Sequence, residues 1–441
     1  MDTFFDRARI VAPPTYRRYL VAPAALAIHL CIGQAYAFSV FNLPLSRALG
    51  IDHATPDDWK LTQLGWIFTT AIAFLGISAA TFGKWLDRVG PRTSGLAAAA
   101  CFCSGLLVAA CGVWMHSLAV LILGYGVLGG IGLGLGYITP VSTLVKWFPD
   151  RRGMATGIAI MGFGGGAIVA APFSSFLMRR YATATDVGVA QTFVTLAVVY
   201  AVVMISGALS FRVPPEGFTP EGYEPPKNPP PGLEPGPAMR TRQFWLLWAV
   251  LCLNVTAGIG VLGQASAMIQ EVFKGQVDAA FAARFVSLLS LFNMAGRFLW
   301  ASLSDKIGRP RTYAIFFAAG AVLYVLVPVL GSFGSVLGFT VCFCAILTMY
   351  GGGFATIPAY LSDLFGSRFV GAIHGRLLTA WSVAGVLGPV LVNYLRQYQI
   401  DHGVEKAQAY NVTMRVMACL LVVGFVCNSR VRPLVRSAAR S

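Results

Sequence analysis

The chain has 441 residues, of which 56% are hydrophobic and only 12% are charged, and its formal net charge is +15. Soluble domains carry roughly 25% charged residues, so this composition excludes a set of ordinary soluble domains and predicts a protein embedded in a lipid bilayer. The net positive charge alone would suit a nucleic-acid-binding protein, but the positions of the charges argue against that class.

Twelve apolar stretches follow one another along the chain, each near the length of about 20 residues that a helix needs to cross a bilayer. They predict an all-α polytopic membrane protein with twelve transmembrane helices. The first stretch is too long for a signal peptide, and we expect it to be an uncleaved anchor. The predicted spans are 19–43, 61–84, 92–113, 117–147, 153–178, 190–211, 242–270, 281–304, 311–331, 333–362, 369–396 and 407–429.

The basic residues are distributed unevenly between the two sets of loops. Of the 33 Lys and Arg residues, 23 lie in the termini or in loops that join an even-numbered span to the next odd-numbered one. Loops enriched in Lys and Arg lie on the cytoplasmic side. We therefore expect a multi-pass protein of the bacterial inner membrane with both termini in the cytoplasm, with the lipid bilayer rather than nucleic acid as its surroundings.

Sequence landmarks recur in the second half of the chain. Residues 87–90, Asp-Arg-Val-Gly, return as Asp-Lys-Ile-Gly at 305–308, an offset of 218 residues. Pro172 in the fifth span returns as Pro389 in the eleventh, at an offset of 217. Two duplicated six-helix halves are the plan of a major-facilitator-type transporter, and this is the fold that the repeat predicts.

A proline-rich stretch separates the two halves. Residues 213–241 hold 10 of the 24 prolines, so we expect an extended linker without helix. The expected domains are a six-helix bundle over 1–212, this cytoplasmic linker, and a second six-helix bundle over 242–441.

The loop after the second span, residues 83–92, resembles the signature loop of the major facilitator superfamily. Gly83 allows close helix approach, and Asp87 can accept hydrogen bonds from a helix N-terminus or a basic side chain. The alternative is a solvated cluster of charges. The residues predicted to gate, rather than to bind substrate, are Gly83, Asp87, Arg88, Asp305 and Arg309.

Arg297 in the eighth span is the most informative single residue. It lies eight residues before Asp305, about 12 Å along a helix at 1.5 Å per residue, and a charge near the bilayer centre costs about 2.5–3.5 kcal/mol. Asn293 lies one turn earlier on the same face. No Asp or Glu lies in the middle of a predicted span, so the expected charge partner is an anionic ligand, and a guanidinium suits a carboxylate. The alternative is a structural arginine bonded to backbone carbonyls.

Three segments resemble the oxalate/formate antiporter family, which is close to the monocarboxylate transporters within the major facilitator superfamily. They are 34–41, 145–153 and 374–382. The resemblance implies that Arg297 binds a substrate carboxylate. It also implies further substrate-binding residues that line the site: Tyr137, Tyr350, Phe354, Gln34 and Tyr36. We expect Asn293, Trp381 and Leu378 to belong to the same site. Tyr137 lies among the glycines of the fourth span, where it either projects into a cavity or packs between helices.

Two departures from the family pattern narrow the expected substrate and coupling. Oxalate carriers of this family have a lysine in the eleventh span, where this chain has Trp381, so a single cation favours a monoanion. Animal monocarboxylate transporters have a proton-coupling aspartate where this chain has Asn293. A transported proton therefore needs another carrier, and His29 and His374 are the candidates, unless they are structural histidines.

These features together predict a secondary transporter of small carboxylates that works by alternating access, with lactate or pyruvate carried together with a proton. Oxalate/formate exchange is the alternative within transport, and a transporter-like ligand sensor is the alternative outside it. A drug or cation exporter would need an acidic residue in its cavity. No catalytic or metal-binding constellation is evident, so we expect neither an enzyme nor a cofactor, and we expect a monomer.

Overall fold

Long helices make up most of the structure, a computed structural model that describes residues 7–225, 230 and 232–434. No β-strand occurs in these described ranges. Twelve of their helices are long and apolar enough to cross a membrane, which confirms the predicted number. They are α1 Arg18–Leu45, α2 Leu61–Val89, α3 Pro91–Trp114, α4 Leu118–Trp147, α5 Arg152–Tyr181, α6 Val189–Ser210, α7 Arg242–Val272, α8 Ala279–Ile307, α9 Arg309–Ser332, α10 Val336–Phe365, α11 Val370–Asp401 and α12 Tyr410–Ser429.

Three of the helices are irregular. The middle of α1 is a 3-10 helix over Gly33–Phe41, and α4 contains a π-helical stretch over Ile122–Gly129. In α11 the first α-helical piece ends at Leu377 and the second begins at Thr379. Local changes of this kind are tolerated in membrane helices where neighbouring elements satisfy the backbone, and they often mark functional positions.

The repeated sequence landmark forms the same turn twice. Gly90 ends α2 with φ +87°, and Gly308 ends α8 with φ +88°. A positive φ of this size favours glycine, because a Cβ would clash with the backbone. In both places the next long helix begins at the following residue, so the turn sets a tight reversal of the chain at one end of each half.

The prediction of a linker without helix is wrong over one short segment. Pro235–Met239 forms a short helix within the proline-rich stretch. A proline at the first position of a helix has a suitable φ and lacks only an N–H that would have no partner there. Of the predicted linker, residues 226–229 and 231 lie outside the described residues.

The chain divides into two compact units. The first comprises Met1–Asp150, Ile158–Pro235 and Gly366–Thr379, and the second comprises Arg151–Gly157, Gly236–Phe365 and Ala380–Ser441. Each unit therefore includes a short segment from the opposite half of the sequence, namely the start of α5 or the start of α11. The bundle boundaries proposed from the sequence stay a prediction.

Candidate functional site

Glycines bring α8 and α10 into backbone contact within the second unit. A Cβ on Gly296 would lie 2.2 Å from the carbonyl oxygen of Thr348, and a Cβ on Gly351 would lie 2.2 Å from that of Asn293. Small residues allow membrane helices to pack this closely. The packing fixes the face of α8 that carries the predicted arginine against the face of α10 that carries the predicted aromatic residues.

Arg297 is buried between an amide and an aromatic ring. Arg297 is only 1% exposed to solvent. No other Lys, Arg, Asp or Glu in the described part of the chain is as buried. Its Nε donates a hydrogen bond of 3.4 Å to Oδ1 of Asn293. Its Cζ lies 5.5 Å from the centroid of the Phe354 ring, within cation–π range. The guanidinium is thus held at a defined position inside the second unit.

Aromatic side chains continue from this arginine. The Phe354 ring lies 5.4 Å from the Tyr350 ring and 4.8 Å from the Trp381 ring, measured between centroids. All three residues are buried. Five of the predicted substrate-binding residues therefore lie together, and we call them the arginine cluster: Asn293, Arg297, Tyr350, Phe354 and Trp381.

Asn254 on α7 also borders this region, although the sequence analysis did not single it out. It is buried, and with Tyr350 it lines a cavity of about 10 Å³, room for roughly one water molecule. Its Oδ1 has no hydrogen-bond partner among the described residues. The signal was present in the sequence, because an amide in the middle of an apolar span is unusual and frequently functional.

The predicted residues of the first unit form a separate cluster around two histidines. Nε2 of His29 donates to the carbonyl oxygen of Tyr137 at 3.2 Å, and the two rings lie 5.3 Å apart. The Tyr137 ring lies 5.9 Å from the ring of His374, which the segment 366–379 brings into this unit. All three residues are buried. We call His29, Tyr137 and His374 the histidine cluster.

The remaining predicted substrate residues are also buried or half-buried in the first unit. Oε1 of Gln34 accepts a hydrogen bond of 3.0 Å from the Tyr125 hydroxyl. The ring of Tyr36 lies 5.0 Å from that of Phe163, and Leu378 is fully buried. Tyr125 and Phe163 were not identified from the sequence, since nothing in an apolar helix indicates which aromatic residue faces a given neighbour. The roles of Gln34, Tyr36 and Leu378 in binding stay predictions.

Asp87, the first predicted gating carboxylate, joins three elements of the first unit. It accepts hydrogen bonds from Nζ of Lys146 at 2.8 Å and from the backbone N–H of Ala372 at 3.0 Å. A Cβ on Gly83 would lie 2.6 Å from Cα of Ala372, so only glycine fits this approach without a shift. The side chain of Arg88, the next residue, is exposed.

Asp305 makes the corresponding contacts in the second unit. It accepts hydrogen bonds of 2.8 Å from the backbone N–H groups of both Gly153 and Met154, at the start of α5. Arg309 donates to Asp305 at 2.5 Å and to Asp363 at 3.1 Å. Two repeated carboxylates thus each accept from the first turn of a helix, where the helix dipole favours negative charge. Whether these contacts gate transport stays a prediction.

Comparisons with known proteins agree with this architecture. The chain is 28% identical over 371 residues to the oxalate:formate antiporter of Oxalobacter formigenes, covering 84% of this chain and 82% of that protein. It is 26% identical over 387 residues to monocarboxylate transporter 11 of Homo sapiens, covering 86% and 77%. A solved structure of the E. coli fucose:proton symporter shares the fold, with a TM-score of 0.68 at 13% identity over 95% of this chain and all of that one. The sequence model of the family described as "Major Facilitator Superfamily" matches residues 24–389 of this chain. The chain therefore belongs to the Major Facilitator Superfamily.

Proposed function

We propose that this protein is a secondary transporter of small carboxylate anions that prefers a monocarboxylate such as lactate or pyruvate and couples its movement to protons. The observation that carries the proposal is the buried guanidinium of Arg297, positioned by Asn293 and Phe354. A transporter of this superfamily needs a fixed feature that recognises its substrate, and a buried cation recognises an anion.

The surroundings of Arg297 suit a carboxylate on a short apolar chain. A guanidinium offers parallel N–H donors that match the two oxygens of a carboxylate, and such charge-assisted bonds are about twice as strong as neutral ones. Burial strengthens these bonds further, because the dielectric constant inside a protein is lower than in water. Tyr350, Phe354 and Trp381 supply apolar surface next to the cation. One relative is named as a monocarboxylate transporter and another as an oxalate:formate antiporter, and formate and lactate share this chemistry.

The arginine cluster favours one negative charge over two. Arg297 is its single basic residue, and residues 377–395 of α11 contain no Lys or Arg. A dicarboxylate would bring a second charge into a buried region without a second cation, and burying such a charge is costly. A monoanion avoids this cost.

The histidine cluster is the proposed proton carrier. An unperturbed imidazole titrates near neutral pH, and neither ring nitrogen of His374 has a hydrogen-bond partner among the described residues. Tyr137 from α4 lies between the two histidines, in ring contact with His29 from α1 and with His374. On the α2 side, the neighbouring Gly375 contacts the backbone of Ala79, which carries no charge.

Purified protein in liposomes tests the transport proposal. Labelled lactate should accumulate when the outside is about one pH unit more acidic than the lumen, and unlabelled lactate or pyruvate should compete about tenfold better than oxalate. Absence of flux with intact lactate binding would favour the sensor alternative. Uptake that requires formate inside the vesicles and does not change with the pH gradient would favour oxalate/formate-type exchange.

The coupling proposal has its own variants. His374→Gln should remove most of the stimulation by the pH gradient while leaving lactate binding at neutral pH within about threefold, because the arginine cluster is untouched. His402→Gln is the matched control, since His402 is exposed at the end of α11. An unchanged pH response in His374→Gln and also in His29→Gln would exclude the histidine cluster as the carrier.

A further inference from the structure

The first unit contains a large cavity that the transport proposal does not use. Its volume is about 680 Å³, within the range of roughly 300–1,000 Å³ typical of small-molecule sites. It lies among the N-terminal segment, the ends of α2 and α4, the start of the linker and the residues just before α11, on the side predicted to be cytoplasmic. We call it the basic cavity, after its charged lining residues Arg7, Lys84, Arg88, Lys146 and Arg368, which outnumber the carboxylates Asp87 and Glu216.

Three of the five cations are available to a ligand. Lys146 is bound to Asp87 at 2.8 Å, and Lys84 lies 3.6 Å from Glu234. Arg7, Arg88 and Arg368, in contrast, form no ion pair with any carboxylate in the described ranges. Three guanidinium groups from three separate segments therefore give the cavity a positive potential that its own carboxylates do not neutralise.

Local contacts hold the three segments in place. Nη1 of Arg7 donates to the carbonyl oxygen of Asp87 at 2.9 Å, and Ala12 N–H donates to the carbonyl oxygen of Val213 at 2.9 Å, so the N-terminal segment is tied to both α2 and the linker. Four residues after Arg368, the N–H of Ala372 donates to the Asp87 carboxylate at 3.0 Å, so the start of α11 is also tied to α2. The side chains thus start from ordered backbone, which lowers the entropy lost when a ligand binds.

The chemistry of the lining selects a multiply charged oxyanion. Guanidinium forks match phosphate oxygens in a bidentate manner, and a phosphate monoester carries about 1.5 to 2 negative charges near neutral pH. A monocarboxylate would satisfy one of the three arginines only. We propose that the basic cavity binds a phosphate-bearing anion, either the headgroup of an acidic phospholipid or a soluble phosphate compound, through Arg7, Arg88 and Arg368.

Such a ligand would act on the Asp87 contact. Arg88 follows Asp87 at the end of α2, and Arg368 precedes α11, whose Ala372 N–H binds Asp87. An anion that bridges the two arginines ties the same two segments together a second time. Occupancy should therefore raise the melting temperature of the protein, because a ligand that binds only the folded state stabilises it.

The test measures binding to the purified full-length protein in neutral detergent, with no transport step. The probes are inorganic pyrophosphate and short-chain phosphatidylglycerol, and citrate at matched ionic strength is the polyanion without phosphate. At least one phosphate probe should bind and raise the melting temperature, and Arg88→Gln/Arg368→Gln should weaken that binding about tenfold or more. Lys306→Gln/Arg311→Gln is the matched control, because it removes two exposed positive charges from the second unit.

Each outcome decides the proposal or the source of the ligand. Binding of pyrophosphate alone assigns a soluble phosphate, and binding of the lipid alone assigns a headgroup. The proposal is overturned if neither probe binds, if citrate binds as tightly as both, or if the double variant binds like the parent. Arg368→Gln alone replaces the double variant if that one does not fold, with a smaller loss expected. If this proposal is overturned, the proposal of lactate transport still stands, because the binding test includes no transport step. The two proposals can therefore fail separately.

Discussion

Arg297 is held by an amide on its own helix and by a ring on the neighbouring one, and both restrict where its guanidinium points. Asn293 accepts a hydrogen bond from Nε of Arg297. Phe354 covers one face of the guanidinium. A carboxylate that approaches this group meets a cation whose position is already determined, which lowers the entropy lost on binding.

Trp381 offers a direct way to change the charge preferred by the arginine cluster. Its ring contacts Phe354, which in turn contacts Arg297. Trp381→Lys adds a second cation near the first, so oxalate should compete for uptake about tenfold better than in the parent, because a second charge-assisted pair is worth about 1.5–3 kcal/mol.

Trp381→Phe is the control for this prediction, since it reduces the ring without adding charge. The measurement is competition of oxalate against labelled lactate in liposomes. Equal competition by oxalate in the Lys and Phe variants would show that charge at this position does not set the preference.

Arg297 and Asn293 were identifiable from the sequence because a charge inside an apolar span is rare and because residues four apart share a helix face. Tyr350 and Phe354 followed from the resemblance to a family. Asn254 carried a signal in the sequence, as an amide inside an apolar span, and was overlooked. Tyr125 and Phe163 were missed for a physical reason. Their importance depends on which residue of another helix they touch, and helix rotation about its axis is not encoded in a run of apolar residues.

At the scale of elements, the contact between α8 and α10 positions the arginine cluster. Gly351→Ala should weaken lactate binding and lower the melting temperature, because the added Cβ would lie 2.2 Å from the carbonyl oxygen of Asn293 and 3.1 Å from Cγ of Arg297. Overpacking of this kind costs about 1–3 kcal/mol. Gly65→Ala on α2 is the control, because nothing lies within 4 Å of a Cβ there. Equal behaviour of the two variants would contradict the role given to this contact.

The conformation of the loop between α1 and α2 is stabilised by one carboxylate, that of Asp58. Burial alone would raise the pKa of Asp58, but hydrogen bonds from the N–H groups of Leu49, Gly50 and Thr55 and from the Thr55 hydroxyl outweigh it and lower the pKa below its usual value. A lowered pKa in the folded state stabilises the protein above the unfolded pKa of about 3.9 and loses this contribution as the pH falls.

Asp58→Asn should therefore lower the melting temperature at neutral pH, by an amount equivalent to about 1–3 kcal/mol. The difference from the parent should shrink as the pH falls below about 5. Asp57→Asn is the control, since its side chain is exposed. A difference that stays constant down to acid pH would mean that the charge of Asp58 is not what stabilises the loop.

Element boundaries could be predicted only in part. The spans followed from hydropathy because the bilayer fixes the length of a helix. The 3-10 stretch of α1, the π-helical stretch of α4 and the short helix Pro235–Met239 could not be predicted in this way. They depend on how neighbouring helices satisfy the backbone, which a single segment does not reveal.

At the scale of the whole molecule, the internal repeat accounts for the paired structural features. Gly90 and Gly308 adopt the same turn, and Asp87 and Asp305 each accept from the first turn of another helix. The repeat was readable because its landmarks have a constant offset. The sequence did not predict that residues 151–157 belong to the second compact unit and residues 366–379 to the first. This assignment depends on tertiary contacts alone.

The most direct test of the central claim is lactate binding and uptake by Arg297→Gln in liposomes. Gln keeps a polar side chain of moderate length but removes the charge and the fork, so binding should weaken by about 1.5–3 kcal/mol, or roughly 10- to 150-fold. Arg311→Gln, which removes an exposed charge from α9, should bind and transport like the parent. Full uptake by a folded Arg297→Gln variant would contradict the assignment of Arg297 as the substrate-binding cation.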